Sequence, residues 1–428
     1  MKRVLSFLLI GTLLLQLTGC CRQSVETVPE TQPAPIQTEP VPSETGTEPT
    51  RPAYTPEVVP PTVWVAECKE YITLWKALDS DEALARIPVG DSMELLGWEE
   101  TYAHVRYGQL EGYVRSDYMR PADDSFYDAC LDTVELTNIY TYEQMLTDLQ
   151  ALQDKYPEDV TLGSIGTSEQ GRDIPVLLLG DPQAQQQVLI QGTMHAREHL
   201  NTWLLMAMAD YWLSRGISRY GDVCWHIIPM VNPDGVAVSQ SGKLSSRQQE
   251  IYRWDLDERY TRLEEAQYAA AWKANGLGVD LNRNFPSGWE PIDGPQQPSS
   301  QRYKGDEPFC AAESRALGEY TLAYDFDVTI SYHSSGSVIY YEFGNRQPAN
   351  AMSESLSKAV AAVTGYEMKG SDTVEGGGYK DWAIDALGVP SLTIEVGCGD
   401  SPLVMREVYS IFVRNLQVLP AIAQWLQS

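Results

Sequence analysis

Histidine is scarce in this chain, with five in 428 residues, and basic residues are outnumbered, 31 Lys and Arg against 59 Asp and Glu. The formal charge of −28 excludes a nucleic-acid partner, since a phosphate backbone calls for a basic face. Cysteine is sparse as well. Beyond Cys20 and Cys21 there remain only Cys68, Cys130, Cys224, Cys310 and Cys398, an odd set without metal-type spacing, so no cysteine metal site is indicated and any disulfide stays unassigned. The apolar run near the start, Val4 to Leu17, is too short to span a bilayer. No internal repeat is found, which removes solenoid architectures.

What is present divides the chain into four segments. Lys2-Arg3 ahead of the short apolar run has the proportions of a signal peptide, and Leu17-Thr18-Gly19-Cys20 resembles the lipobox of bacterial lipoproteins. That resemblance implies a signal over residues 1–20 and a lipid anchor at Cys20, which would place the protein at the extracellular face of a bacterial cell membrane. Residues 21–61 are rich in Pro, Thr, Glu and Ser, with almost no large apolar side chain before Tyr54. Such a stretch cannot offset the entropy of ordering and reads as an extended linker.

Residues 62–121 change character. Short alternating runs such as Tyr71-Ile72-Thr73-Leu74-Trp75 and His104-Val105-Arg106-Tyr107, parted by Asp, Gly and Pro, predict a compact all-β barrel. Ala85-Arg86-Ile87-Pro88-Val89-Gly90-Asp91, followed by Glu111-Gly112-Tyr113-Val114, is similar to bacterial SH3 domains. The resemblance implies a cell-wall partner, and a plain spacer is the other reading.

From about residue 139 to 428 helical and strand patterns alternate. Thr141 with Gln144 three residues on predicts a capped helix whose buried face is Met145, Leu149 and Leu152, ended by Tyr156-Pro157. Val176–Leu179, Val188–Ile190, Trp225–Met230, Val328–Tyr332 and Leu392–Val396 read as strands, with a long apolar helix from Trp203 to Trp212. The expected fold class is α/β, a mixed, largely parallel sheet covered by helices on both faces.

The chemistry gathers at strand ends. Val188-Leu189-Ile190 runs into Gly192-Thr193-Met194-His195-Ala196-Arg197-Glu198, and Val328–Tyr332 runs into His333. Open α/β sheets place ligands at such C-terminal edges. Two imidazoles and one carboxylate, His195, Glu198 and His333, make a three-ligand zinc set with a position left for water. Glu395 lies in the apolar strand Ser391–Val396, where an unpaired charge is expensive. A general base that takes a proton from water activated by the ion accounts for it. His195 to His199 also fits H-x-x-E-H, but that motif belongs inside a helix and would leave His333 and Glu395 without a role. His104 and His226 read as structural. In Val279-Asp280-Leu281-Asn282-Arg283-Asn284, an arginine beside asparagines can grip a planar carboxylate with two parallel hydrogen bonds.

Taken in order, His195-Ala196-Arg197-Glu198, Asn232-Pro233-Asp234-Gly235, Val279–Asn284, Ser331-Tyr332-His333-Ser334 and Thr393-Ile394-Glu395-Val396-Gly397 resemble the zinc carboxypeptidases of the carboxypeptidase A type over residues 139–428. The resemblance implies one Zn2+ held by His195, Glu198 and His333, Glu395 activating water, and Asn282 with Arg283 binding the substrate's terminal carboxylate, with help from Arg197. The chain departs from the digestive members in two places. Where they carry an oxyanion-stabilising arginine, it reads Trp272-Lys273-Ala274-Asn275, leaving Lys273 as the available cation. Their mobile tyrosine has no clear counterpart, and ungapped counting reaches Thr373, with Tyr379 nearby.

In that family the residue before Asp-Trp lines the base of the specificity pocket. Here it is Lys380, a cation suited to an acidic terminal side chain. Gly376–Trp382 with His333–Gly336 is most similar to the bacterial branch that cleaves γ-D-glutamyl-diaminopimelate bonds. Three functions follow as expectations: a peptidase of peptidoglycan stem peptides, a general extracellular carboxypeptidase, or an inactive wall-binding protein.

Overall fold

The computed structural model describes residues 63–122, 126–217, 221–370 and 376–428. The signal segment, Cys20, the whole linker and Thr373 lie outside the described residues. The described residues all fall in one compact unit.

Its N-terminal part is a single antiparallel sheet: β1 (Val63–Ala66), β2 (Tyr71–Trp75), β3 (Ala83–Pro88), β4 (Ser92–Glu99), β5 (Tyr102–Tyr107), β6 (Leu110–Arg115) and β7 (Met119–Pro121). Alternation decides which face is buried. Ala103 and Val105 of β5 point inward with Trp64, Leu74, Ile87 and Val114. The strand order is β3-β2-β6-β5-β4-β1-β7, the barrel-like antiparallel sheet that the sequence predicts, though it does not close. β2 meets β6 only at Trp75 and Tyr113, and no ladder joins β3 to β7.

The segment ahead of residue 139 already packs on the α/β part. Helix α1 (Phe126–Cys130) packs Phe126 and Tyr127 against Phe412, with ring centroids 6.4 and 5.5 Å away. Asp210 Oδ2 then accepts the N–H groups of Asp132, Thr133 and Val134 at 3.0, 2.7 and 2.8 Å. Helix α2 (Tyr142–Lys155) follows as its sequence predicts: Thr141 Oγ1 accepts from Gln144 N, and Met145, Leu149 and Leu152 are buried.

An eight-stranded sheet carries the rest: β8 (Val160–Thr167), β9 (Asp173–Leu179), β10 (Gln186–Gly192), β11 (Val223–Ile228), β12 (Val328–Ser334), β13 (Val338–Tyr340), β14 (Glu367–Lys369) and β15 (Ser391–Val396), in the order β14-β13-β15-β12-β10-β11-β9-β8. The central run β11-β10-β12-β15 is parallel, while β9 joins β11 and β13 joins β15 antiparallel. Helix α3 (Leu200–Ser214) is buried from Asn201 to Leu213, apolar all round as a helix enclosed by protein must be. It packs behind the sheet with α4 (Val408–Asn415), and α5 (Ala312–Leu322) covers the opposite face.

His226 shows how this core handles a polar group. It is fully buried in β11, with Nε2 2.6 Å from Gln187 Oε1 and Nδ1 2.6 Å from Tyr320 Oη. A neutral ring that donates through Nε2 and accepts through Nδ1 satisfies both, and burial pushes its pKa down to about 4. The unfolded chain takes up this proton near pH 6.5 and the folded chain does not. Stability is therefore full above pH 6.5 and falls by roughly 3 kcal/mol as pH drops toward 4. Melting temperatures measured across that range are expected to fall more steeply for the parent than for His226→Gln.

Candidate metal centre and active-site cleft

The parallel register brings the two histidines to one edge. β10 and β12 pair Gln191 with Ser331 and Gly192 with Tyr332, so the turn just past β10 and His333 in the last part of β12 come to the same edge. His195 precedes a short 3-10 turn, Ala196–Glu198, and α3 begins only at Leu200. His195 through His199 therefore lies outside a regular helix, and His199 is absent from the ligand cluster formed by His195, Glu198 and His333.

Within that cluster the donor atoms converge. His195 Nδ1 is 2.9 Å from Glu198 Oε1, His333 Nδ1 is 3.0 Å from Glu198 Oε2, and the two Nδ1 atoms are 3.0 Å apart. His195 Nε2 lies 3.2 Å from Asp280 Oδ1, so a carboxylate backs the ring on the side away from the ligand cluster. Two imidazole nitrogens and a carboxylate aimed at one point, with all donor atoms within 4.8 Å of each other, fit a single zinc ion with bonds of about 2.0–2.2 Å. Burial works to raise the Glu198 pKa, but the two imidazoles overcome it and hold the carboxyl well below its usual range.

Asp280 is the functional residue that sequence reasoning passed over. It is fully buried, and the Lys273 ammonium, His195 and the Arg283 guanidinium overcome its burial and hold it ionised. Its signal was present as a lone carboxylate between Val279 and Leu281. Lys273 Nζ lies 3.8 Å and Arg283 Nε 3.9 Å from Asp280 Oδ2.

These groups share a cleft of about 210 Å3 lined by His195, Lys273, Asp280, Asn282, Arg283, Gly376, Gly378 and Asp381. Asn282 Oδ1 accepts from Tyr379 N at 3.0 Å and so ties the arginine turn to the glycine segment opposite. Glu395 enters from β15, paired in register with His333 of β12. Burial pushes its pKa up to about 7, against the pull of His333, and Glu198 adds to the rise. Arg197, whose buried Nε has no hydrogen-bond partner, lowers it in turn together with Lys273.

Lys380 is buried and does not line the cleft: its Nζ donates to Glu342 O at 2.7 Å and to Asp381 Oδ1 at 2.6 Å. The cation expected to meet a substrate carboxylate already has one beside it. Tyr379 is a core residue, fully buried, its ring edge-on to Phe285 and its hydroxyl 3.0 Å from Thr321 Oγ1. All five cysteines among the described residues are free.

Zinc held by His195, Glu198 and His333 supplies a Lewis acid and lowers the pKa of water. Glu395, in register with His333, is the neighbouring carboxylate that would take up a proton from such a water. Lys273, Asn282 and Arg283 line the same cleft and carry cationic and amide donors of the kind that bind a carboxylate or an oxyanion, while Arg197 acts on Glu395 from nearby.

The likeness to known proteins agrees with this geometry. A family profile described as zinc carboxypeptidase, peptidase M14, matches residues 145–421. The γ-D-glutamyl-L-diamino acid endopeptidase 1 of Lysinibacillus sphaericus is 31% identical over 66% of this chain and 72% of its own length. Carboxypeptidase B of Astacus astacus is 27% identical over 61% of this chain and 88% of its own. The fold is similar to that of bovine thrombin-activatable fibrinolysis inhibitor, with a TM-score of 0.52 and 18% identity over 67% of this chain and 97% of that one. The chain belongs to the M14 zinc carboxypeptidase family and is a metallopeptidase of that family.

Proposed function

We propose that the protein hydrolyses the amide bond next to a free carboxylate in peptidoglycan stem peptides, at a γ-D-glutamyl-diaminopimelate linkage. The observation that carries the carboxylate requirement is the cleft itself, in which Lys273, Asn282 and Arg283 stand beside the ligand His195. The linkage is supported by the relative from Lysinibacillus sphaericus, whose name specifies γ-D-glutamyl-L-diamino acid bonds. Incubation with L-Ala-γ-D-Glu-diaminopimelate and with ordinary peptides bearing free C-termini tests it. Turnover of the first is expected, and turnover of ordinary peptides alone would establish the general carboxypeptidase instead.

Arg283 supplies a second check. A hydrogen bond to a charged group contributes about 1.5–3 kcal/mol, so Arg283→Ala is expected to lower kcat/KM roughly 10- to 10²-fold on substrates with a free carboxylate. Amidated substrates, already poor, should lose little, and steady-state kinetics on the matched pair reads the difference. The intact ligands and Glu395 favour an active enzyme over an inactive wall-binding protein.

The reading extends to location. A lipid anchor at Cys20, the linker and an SH3-like module that binds wall or holds the enzyme at a set distance would keep the peptidase at the outer face of the membrane. Labelling with a fatty-acid analogue tests the anchor: Cys20→Ser should lose the label and appear in the medium, and retained label would refute it.

A further inference from the structure

The turn that follows the Glu395 strand is held from two sides. Gly397 sits at φ +77°, a backbone that glycine adopts without strain, and a Cβ there would lie 2.6 Å from Leu403 Cδ1. The next two N–H groups, of Cys398 and Gly399, both donate to Glu407 Oε2, at 2.6 and 3.2 Å. Glu407 is 1% exposed and immediately precedes α4.

The carbonyls of this turn brace the strand of His333 in return. Gly397 O accepts from Gly336 N at 3.0 Å and from Ser337 Oγ at 3.1 Å, and Gly399 O accepts from Ser335 Oγ. Ser401 Oγ donates to Ser334 O at 3.1 Å, while Ser334 N donates to Glu198 Oε2 at 3.2 Å. Hydrogen bonds thus run from Glu407, through the turn, to the carboxylate ligand.

The second side is the N-terminal sheet. Cys398 Sγ lies 3.8 Å from Ser116 Oγ and 3.9 Å from Thr101 O, and Ser116 Oγ donates to Thr101 O at 3.0 Å. The contact is fixed by Arg414 of α4, 2% exposed. Its Nε donates to Thr364 O at 2.7 Å and its Nη2 to Glu100 O, with the guanidinium 5.3 Å from the Trp98 ring and 4.4 Å from Tyr366. Glu100 N donates back to Gly365 O at 2.6 Å. A buried guanidinium that takes acceptors from both parts resists their separation, since parting them would leave the charge uncompensated.

We propose that Glu407 and the docked N-terminal sheet are positioning elements for catalysis, which fix the Gly397–Gly399 turn and through it set Glu395 against the metal ligands. The inference rests on the hydrolytic reading of the site. The N-terminal sheet is on this account part of the catalytic unit, whatever else it binds.

The test uses the full-length, zinc-loaded protein, with Glu407→Gln, Glu407→Ala and Ser116→Leu, the last pressing on Cys398 from the sheet side. Hydrogen exchange at the Cys398 and Gly399 amides is expected to quicken about 10-fold or more in each, with the central strands unchanged. On a peptide that the parent cleaves, kcat should fall about 10-fold or more while KM and zinc content hold. Glu407→Gln, which keeps one accepting oxygen, should recover part of the loss seen with Glu407→Ala. Unchanged exchange in folded variants, or a rise in KM at constant kcat, overturns the proposal. Should Glu407→Ala fail to fold, the other two variants decide. A parent without zinc-dependent turnover would defeat the hydrolytic reading and the catalytic role with it, while the exchange rates still report whether the turn is braced as described.

Discussion

Replacing Glu395 by Gln is expected to cut kcat by roughly 10²–10⁴-fold, the range for loss of a general acid-base group. The swap keeps size and removes the proton acceptor. Since β12 and β15 hold His333 and residue 395 in register through a full ladder, the variant should keep its fold, its zinc and its KM. Steady-state kinetics with zinc analysis on the same sample reads all three. An equally active Glu395→Gln enzyme would remove the residue from the chemistry. Loss of zinc along with activity would make it a supporting group of the metal site.

Chelation is expected to have an effect as large. Stripping the metal leaves His195 Nδ1, His333 Nδ1 and both Glu198 oxygens converging, with water no longer activated, so hydrolysis should fall to background and return on addition of one equivalent of zinc. His333→Ala should behave as the stripped protein does and not recover at that zinc level. The chelated protein should also melt at lower temperature, because an ion bound by the folded state alone stabilises it in proportion to RT ln(1 + [L]/Kd). Activity that survives exhaustive chelation would exclude the metal from the reaction.

How much of this was legible in the sequence varied with the kind of signal. The ligands and Glu395 could be read because each breaks a strong local pattern: polar residues stand where apolar strands end, or, for Glu395, within one. The helix opened by Thr141 was legible for the same local reason. β8 was missed because Val160–Thr167 is mostly exposed and interrupted by Gly163 and Gly166, leaving little alternation to detect. That the end strands β3 and β7 of the N-terminal sheet stay unpaired with each other depends on long-range pairing that no local pattern encodes. Lys380 has a carboxylate of its own beside it, Asp381 Oδ1 at 2.6 Å, a pairing of chain neighbours whose geometry the sequence does not state. Asp280 left a faint signal as a lone carboxylate between apolar residues, but its contact with His195 joins distant parts of the chain, as does the bond of Glu407 to the turn after β15.

The capture of three consecutive N–H groups by Asp210 limits how this protein can be trimmed. Asp210 lies within α3, the helix that descends from the zinc motif, and its other oxygen already lacks a partner. A fragment cut at residue 139 would strip that carboxylate of the three donors it has, stranding a negative charge beneath the metal centre. Expression boundaries drawn from the family match alone would thus yield an unstable product, and a workable one must retain the peptide from Phe126 onward.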